Sequence, residues 1–405
     1  MSALVIEPSD VAATAAAIAS APLVVFDVEF NSADRLVPQL CLLQVAWVDH
    51  WDAAKPAFVP QVPEVRLVDP IAGNAEPVVR ALAAHPLVIA HAPRQDLGLL
   101  ATKFGITIPG ILDTQLMAAF SGIGDQVGLA ALTSDLLGIQ LAKEMQWTDW
   151  AKRPLSDAQL VYADADVRHL PALYAKLAAK LGDRMAWVRE ESAQIGAEAV
   201  AASQVTPESA WEHIGSLRGL DPHAMSTGIE LATWRQRIAI ELDRPLGQVM
   251  TEKVLVELAK TRPQAPGGVR SIKGLSEHAR KRAEDIIAAM QEAKPSKAPP
   301  RTLHRAASVR AQRWAEMLIS IVQVIADETR IAPRLLGTRS DAEEFARTFD
   351  ERGESAVAKL PAVATWRRDL LGAAWLGWLT GKVALVGDSA APHGVRLTVI
   401  DPGNR

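Results

Sequence analysis

Short runs with strand character occur up to about residue 180 of this chain and nearly disappear beyond it. "LVVFDVEF" (23–30), "CLLQVAWV" (41–48) and "VRLVDP" (65–70) are each rich in β-forming apolar residues and follow one another closely, which suggests an antiparallel meander. Helix-like "PVVRALAAH" (77–85) leads to the strand "PLVIAHA", a helix through "DLGLLATKF", the short strand "GILDT" and helices to about Leu181. Such alternation describes a mixed α/β domain. From about Met185 onward Ala, Leu, Glu and Arg recur at helical spacing. The tract "KPSKAPPR" (294–301), with three prolines in eight residues, divides this helical half into two parts, each large enough for a small bundle.

One strand is chemically odd. "LVVFDVEF" reads as buried, yet Asp27 and Glu29 lie two residues apart and so share one face of the sheet. Two bare carboxylates there repel and lose hydration unless something positive sits between them. A bound cation is one answer; an exposed sheet face is the other. Further acids have a route to the same place. Asp96 opens a helix in "HAPRQDLGLL" directly after a strand, and Tyr162 and Asp166 in "VYADADVRHL" are spaced i and i+4, on one helical face. Ser156 fits as the N-cap of that helix, after Pro154 near a turn. Taken singly, each has a plain structural reading: a solvated acid pair, a helix-start cap, a packed tyrosine.

Apolar residues at 49% and charged residues at 22% are those of a globular protein, and the single Cys41 excludes an internal disulfide and fits a reducing, cytoplasmic setting. The Ala-rich run after Asp10 lacks a positive leader and is broken by Pro22, so a helix capped by Ser9 or Asp10 is expected there, not a signal sequence. "LLGAAWLGWL" (370–379) is about half the length of a membrane span. The formal charge of −4 hides a division: His223 to Arg301 holds fourteen Lys or Arg against nine Asp or Glu, an excess of +5. The net charge itself does not advertise nucleic-acid binding, but a basic module attached to an acidic one is a division that calls for a reason. "GIGDQVG" (122–128) has its third glycine one residue late for a dinucleotide fingerprint and is set aside; Trp147, Trp150 and Trp234 are expected on buried faces.

"FDVEF", "HAPRQDL" and "YADADV" resemble the three motifs of the DEDD 3′–5′ exonucleases, in the subclass marked by tyrosine. "LGIQLAKEMQWTDWAKRPLSDAQLVYADADVRHL" is similar over its whole length to the ribonuclease D stretch that ends in the third motif. The resemblance implies a ribonuclease H-like fold, with Asp27, Glu29, Asp96 and Asp166 as metal-binding carboxylates and Tyr162 positioning the attacking water. It implies two divalent cations, Mg²⁺ or Mn²⁺, with Asp27 bridging them, Glu29 and Asp166 completing one site and Asp96 the other. Hard oxygen donors suit those ions, and two of them about 3.5–4 Å apart compensate charge on both the attacking and leaving oxygens. Phe30 is expected beside the terminal nucleotide or in the core. Val28 stands where the family usually has threonine, Leu36 and Val37 where aromatics are common, and Pro93, Arg94 and Gln95 depart from the second motif. These departures touch the substrate-facing surface and bear on specificity.

"LATWRQRIAIELDRPLGQVMTEKVLVELAKTRPQAPGGVRSIKGLSEHARKRAEDIIAAM" (231–290) resembles the HRDC domain, a helical bundle that holds nucleic acid by its backbone. Lys273, Arg280, Lys281 and Arg282 are its candidate phosphate contacts. "IAPRLLGTRSDAEEF" and "TWRRDLLGAAWLGWLTGK" resemble a second, less typical HRDC-like domain, whose Arg334, Arg339, Arg367, Arg368 and Lys382 are expected to line the approach to the catalytic face.

The expected division is therefore an exonuclease domain at 1–184, a helical connector at 185–222, an HRDC domain at 223–293, a linker at 294–301, a second HRDC-like domain at 302–385 and a C-terminal tail at 386–405. The expected function is a 3′–5′ exoribonuclease that releases nucleoside 5′-monophosphates from RNA with a single-stranded 3′ end, tRNA precursors among them, with neither a membrane nor an obligate protein partner. A DNA exonuclease and a catalytically weak nucleic-acid-binding protein are the alternatives.

Overall fold

The computed structural model of the chain describes residues 3–52, 62–142, 145, 148–294, 307–392 and 394–400. Its central sheet comprises β1 (Ala3–Val5), β2 (Leu23–Asn31), β3 (Gln39–Val48), β4 (Glu64–Val68), β5 (Val88–Ala90) and β6 (Ile111–Asp113), in the order β1-β4-β3-β2-β5-β6. The meander β2-β3-β4 is antiparallel; β1 on β4, and β5 and β6 on the other side of β2, are parallel. β1 was not expected from the sequence. At three residues it is too short to show a period, and it is held by its parallel pairing with β4.

Helices α1 (Pro8–Ser20), α2 (Glu76–Ala84) and α3 (Arg94–Phe104) cover one face, packing on Val24, Phe26, Val28, Leu43 and Val45. α4 (Thr114–Phe120), α6 (Asp157–Arg168) and α7 (Leu170–Leu181) cover the other, on Leu23, Val25, Leu42 and Ala46; α5 (Leu129–Leu137) packs on α7. α1 is not capped by Ser9 or Asp10. Its N-cap is Glu7, with Pro8 at the first helical position, where the missing N–H costs nothing and the fixed φ favours the helix.

α8 (Met185–Ser203) leads out of this domain to a helical module built on α9 (Pro222–Leu242) with α10 (Leu246–Val249), α11 (Glu252–Thr261), α12 (Pro266–Arg270), α13 (Glu277–Lys281) and α14 (Ala283–Gln291). Its core, from Ile214 to Met290, is separate from those of the sheet. Side chains cap α9, α11 and α13: Asp221 accepts the N–H groups of His223 and Ala224, each at 3.0 Å, and Thr251 and Ser276 cap α11 and α13.

The last module differs. α15 (Val309–Thr329), α16 (Pro333–Leu336), α17 (Arg339–Arg352), α18 (Glu354–Val357) and α19 (Ala373–Leu379) share one continuous core with α4, α6 and α7. Trp366 forms the joint: it stacks on Trp187 with ring centroids 5.1 Å apart, meets Phe120 edge-on and donates its indole N–H to Glu191 at 3.0 Å. Arg367 also pairs with Glu191, at 2.8 Å. The glycine-rich 122–128 segment serves this joint: Asp125 pairs with Arg334, and a Cβ on Gly122 (φ 76°) would lie 2.8 Å from that of Arg330. The stretch expected as a tail carries a strand instead, because Val383–Gly387 and Val395–Val399 form an antiparallel hairpin whose Leu385 and Leu397 pack on the shared core. Trp150 and Trp234 are buried, while Trp147 and most of the proline tract lie outside the described residues. No helix among the described residues is long and apolar enough to cross a membrane.

Candidate active site

Alternation along β2 explains where the acids go. Val24, Phe26 and Val28 enter the α1–α3 face; Leu23 and Val25 enter the other, and Asp27 and Glu29 continue that second row to where α6 crosses the strand. A bulge between Glu29 and Phe30 ends the regular register just beyond them. α6 starts in a fixed phase because Ser156 and Gln159 form a capping box, the Ser156 N–H donating to the Gln159 side chain at 3.0 Å. Its Asp166 thereby meets the strand acids. Asp27, Glu29 and Asp166 each present a carboxylate oxygen within 4.8 Å of the others. Tyr162, one turn earlier, lines the same cavity of about 880 Å³.

Asp96 lies outside that tight group, in the first turn of α3, buried beside Asp27. Its helix is set by a residue the sequence reading missed. Asp113, at the end of β6, accepts the N–H groups of Ala92 and Gln115, both at 2.8 Å, and so holds left-handed Ala92 (φ 53°) in the turn that feeds α3. The signal available for it was an Asp between a strand and a helix start.

Electrostatically the cluster is held in tension. Burial pushes the Asp27 carboxyl up to about 7 and Asp166 to about 8, the latter helped by the charge of Asp27. Glu29 rises to about 9, through burial and then the charges of Asp27, Asp166 and Asp96. Asp96 rises well above the usual carboxylate range through burial, Asp27 and Asp113. Burial and the same acids push the Tyr162 phenol upward, so it keeps its proton. His91, on the cavity wall, is held neutral by burial, with its pKa near 4.

A clasp fixes the opposite wall. Arg153 pairs with both oxygens of buried Asp69 at 2.7 and 2.8 Å and donates to the carbonyls of Cys41 (2.6 Å) and Trp150 (2.8 Å). That anchors the 148–150 segment, which lines the cavity and sets the Trp150 ring 6.0 Å from that of Tyr162.

The donor set fits hard divalent cations, with clustered carboxylate oxygens and no thiol or imidazole among the three grouped ligands. A second observation agrees: Gln44 stands opposite Asp27 in the β2–β3 register, fully buried, with neither polar atom of its amide hydrogen-bonded.

Phe30 packs on the α1–α3 core and also borders the cavity. The cationic patch of the middle module is largely turned to internal use. Arg280 donates to the carbonyls of Leu275 and Arg270, Arg282 pairs with Glu241 at 2.8 Å and Lys281 with Glu277 at 3.5 Å; Lys273 is exposed. Likewise Arg334, Arg339 and Arg367 form ion pairs with Asp125, Glu316 and Glu191, and Arg368 and Lys382 are exposed. Leu36, expected toward substrate, packs on the core of the middle module.

Residues 4–182 match the family described as 3′–5′ exonuclease, and the sheet with its acidic strand is that catalytic domain. Such exonucleases depend on divalent metal, and the acidic cluster for it is present. Residues 230–290 match the HRDC domain. Over 405 residues the chain is 33% identical to the ribonuclease D of Jannaschia sp. (strain CCS1), covering 97% of each. Over 397 residues it is 30% identical to that of Acidiphilium cryptum (strain JF-5), covering 95% of this chain and 93% of the relative. The chain belongs to the ribonuclease D family and is a hydrolytic 3′–5′ exoribonuclease. The crystal structure of Escherichia coli RNase D shares its fold, with a TM-score of 0.80 at 23% identity over 94% of this chain and 99% of that one.

Proposed function

We propose that the chain trims RNA from a single-stranded 3′ end to nucleoside 5′-monophosphates with two divalent cations, Mg²⁺ or Mn²⁺, acting on tRNA precursors or other stable RNAs in the cytoplasm. The observation that carries this reading is the convergence of Asp27, Glu29 and Asp166 within 4.8 Å at the floor of a cavity that Tyr162 borders. Asp27 would be shared by both ions, Glu29 and Asp166 would complete one site and Asp96 the other. When bound, the cations supply a nucleophile at neutral pH and compensate charge on the attacking and leaving oxygens. The chain's own groups do the rest. Tyr162, protonated, orients the attacking water through its hydroxyl; neutral His91 and Gln95 flank the strand; Phe30 gives the terminal base an apolar edge.

The work divides among the segments: 1–184 for hydrolysis, 223–293 as an HRDC module that holds the RNA backbone, and 302–385 as a second HRDC-like module whose Trp366 packs on Phe120 of the hydrolytic domain and on Trp187. The test is product chemistry. Digestion in ¹⁸O-labelled water should place the label on the phosphate of released 5′-monophosphates, and Tyr162→Phe should slow release at unchanged RNA affinity. Release of 3′-monophosphates, or equal release from DNA, overturns the reading.

A further inference from the structure

The wall of the cavity formed by Asn31, Ser32 and Ala33 runs directly into a turn, Asp34–Arg35–Leu36, that the middle helical module grips. Arg35 donates to Asp243 at 2.9 Å, and the Leu36 N–H donates to the other oxygen of the same carboxylate at 3.2 Å. In return Arg244 donates to the Asp34 carbonyl at 3.1 Å and Gln248 to the Asp34 carboxylate at 2.6 Å. The Leu36 side chain packs on the module's core.

A local rule is broken at this contact. Asp243 ends α9 in the left-handed region (φ 47°), where glycine or asparagine is usual, and places a negative charge at the negative end of the helix dipole. Asp34, held by Arg244 and Gln248, is also left-handed (φ 58°). The charge that the end of α9 disfavours is met across the interface by Arg35 and the Leu36 N–H, as expected if the contact is what Asp243 serves. The ion pairs are exposed, individually weak and screened by salt. Their joint hold on one turn comes from the convergence of four hydrogen bonds with the Leu36 anchor.

We propose that Asp243, Arg244 and Gln248 are positioning residues for the active site: they hold the Asp34–Leu36 turn, and with it the Asn31–Ala33 wall, in the conformation that receives the RNA strand. The middle module is thus part of the active-site wall as well as a binder. This inference rests on the hydrolytic reading of the cavity, so its test has an arm that uses no RNA.

Hydrogen exchange of the 31–38 segment is compared in the full-length wild type, Asp243→Ala, Asp243→Asn and Arg35→Ala/Asp243→Ala, alongside KM and kcat on a 3′-tailed RNA. Asp243→Ala should speed exchange of this segment about tenfold and raise KM several-fold, with kcat changed less than about twofold. Asp243→Asn keeps an acceptor for the Leu36 N–H and tolerates the left-handed backbone, so it should fall between wild type and Asp243→Ala. The double variant should match Asp243→Ala, since the partner is already lost. Unchanged exchange in Asp243→Ala overturns the proposal. Faster exchange at unchanged KM also overturns it, leaving a contact without a role in substrate placement. A wild type that does not cut RNA refutes the hydrolytic reading, while the exchange arm still decides whether the grip exists.

Discussion

Replacing Arg153 with leucine removes the clasp and keeps much of its bulk. Asp69 is left with a side chain 1% exposed and only the N–H groups of Ile71 (2.9 Å) and Ala72 (3.2 Å) to hold its charge. Breaking a buried pair from one side costs about 3–5 kcal/mol; the two surviving amide bonds and the 22% exposure of the Arg153 side chain place this one near about 3 kcal/mol. For a domain of this size that is a fall in Tm of roughly 6–12 °C. The pH dependence gives the effect a signature. In the wild type, burial alone would raise the Asp69 carboxyl, but Arg153 and the two amides outweigh it and hold it below the usual value of 3.8. That stability is present above the unfolded-state pKa and is lost only as pH falls through the lower folded-state value. Without Arg153 burial dominates and the folded-state pKa rises. The destabilisation is then greatest at neutral pH and shrinks as pH falls toward about 4. Urea unfolding followed by tryptophan fluorescence measures it, with Asp69→Asn/Arg153→Leu closing the cycle. The double variant should recover more than about 1 kcal/mol over Arg153→Leu. A loss under about 1 kcal/mol that is indifferent to pH, or a double variant no better than the single, would mean that Arg153 does not hold a buried Asp69 charge. Because the clasp also anchors Trp150 against Tyr162, Arg153→Leu should lower kcat as well.

Other perturbations follow from the same structure. The acids of the site have raised folded-state pKa values, so in metal-free protein their protonated forms stabilise the fold below about pH 4, and this is lost as pH rises through about 7 for Asp27, 8 for Asp166 and 9 for Glu29. Thermal melts in chelator against Mn²⁺ should therefore separate more at about pH 8 than at about pH 5, and Asp27→Asn should melt higher than wild type in chelator at the higher pH. Gly122→Ala should lower stability by more than about 1 kcal/mol, seen in urea unfolding, since a Cβ at φ 76° would press on Arg330 at the joint with the last module. Lys273→Ala should flatten the log Kd against log salt slope for single-stranded RNA by about 0.7, whereas Arg282→Ala, which breaks the pair with Glu241, should show in the module's melting more than in the slope.

Much of this was legible in sequence, for reasons that can be named. The meander and the α6 cap rest on local chemistry: closely spaced apolar β-forming runs at 23–30 and 41–48, a Ser156–Gln159 box, and an i, i+4 pair that brings Tyr162 and Asp166 to one face. What escaped was set by tertiary context. β1 and the hairpin strands are three and five residues long and are defined by their partners. Asp113 acts through backbone it touches only in the fold. The arginines of the helical half could be counted from sequence but not assigned, because whether Arg282 meets a phosphate or Glu241 is decided by packing. Leu36 faces the core of the middle module and not the substrate side expected of it.

If the acids converging at β2 and α6 remove nucleotides from an RNA 3′ end, the products show it. The direct measurement is degradation of a 5′-labelled, 3′-tailed stem-loop RNA and its DNA counterpart, with and without Mg²⁺ or Mn²⁺, by wild type, Asp27→Asn and Asp166→Asn. A ladder shortening from the 3′ end to the base of the stem should appear only with RNA, metal and intact acids. RNA that is bound but left whole in every metal, or a ladder that persists in both variants, contradicts it.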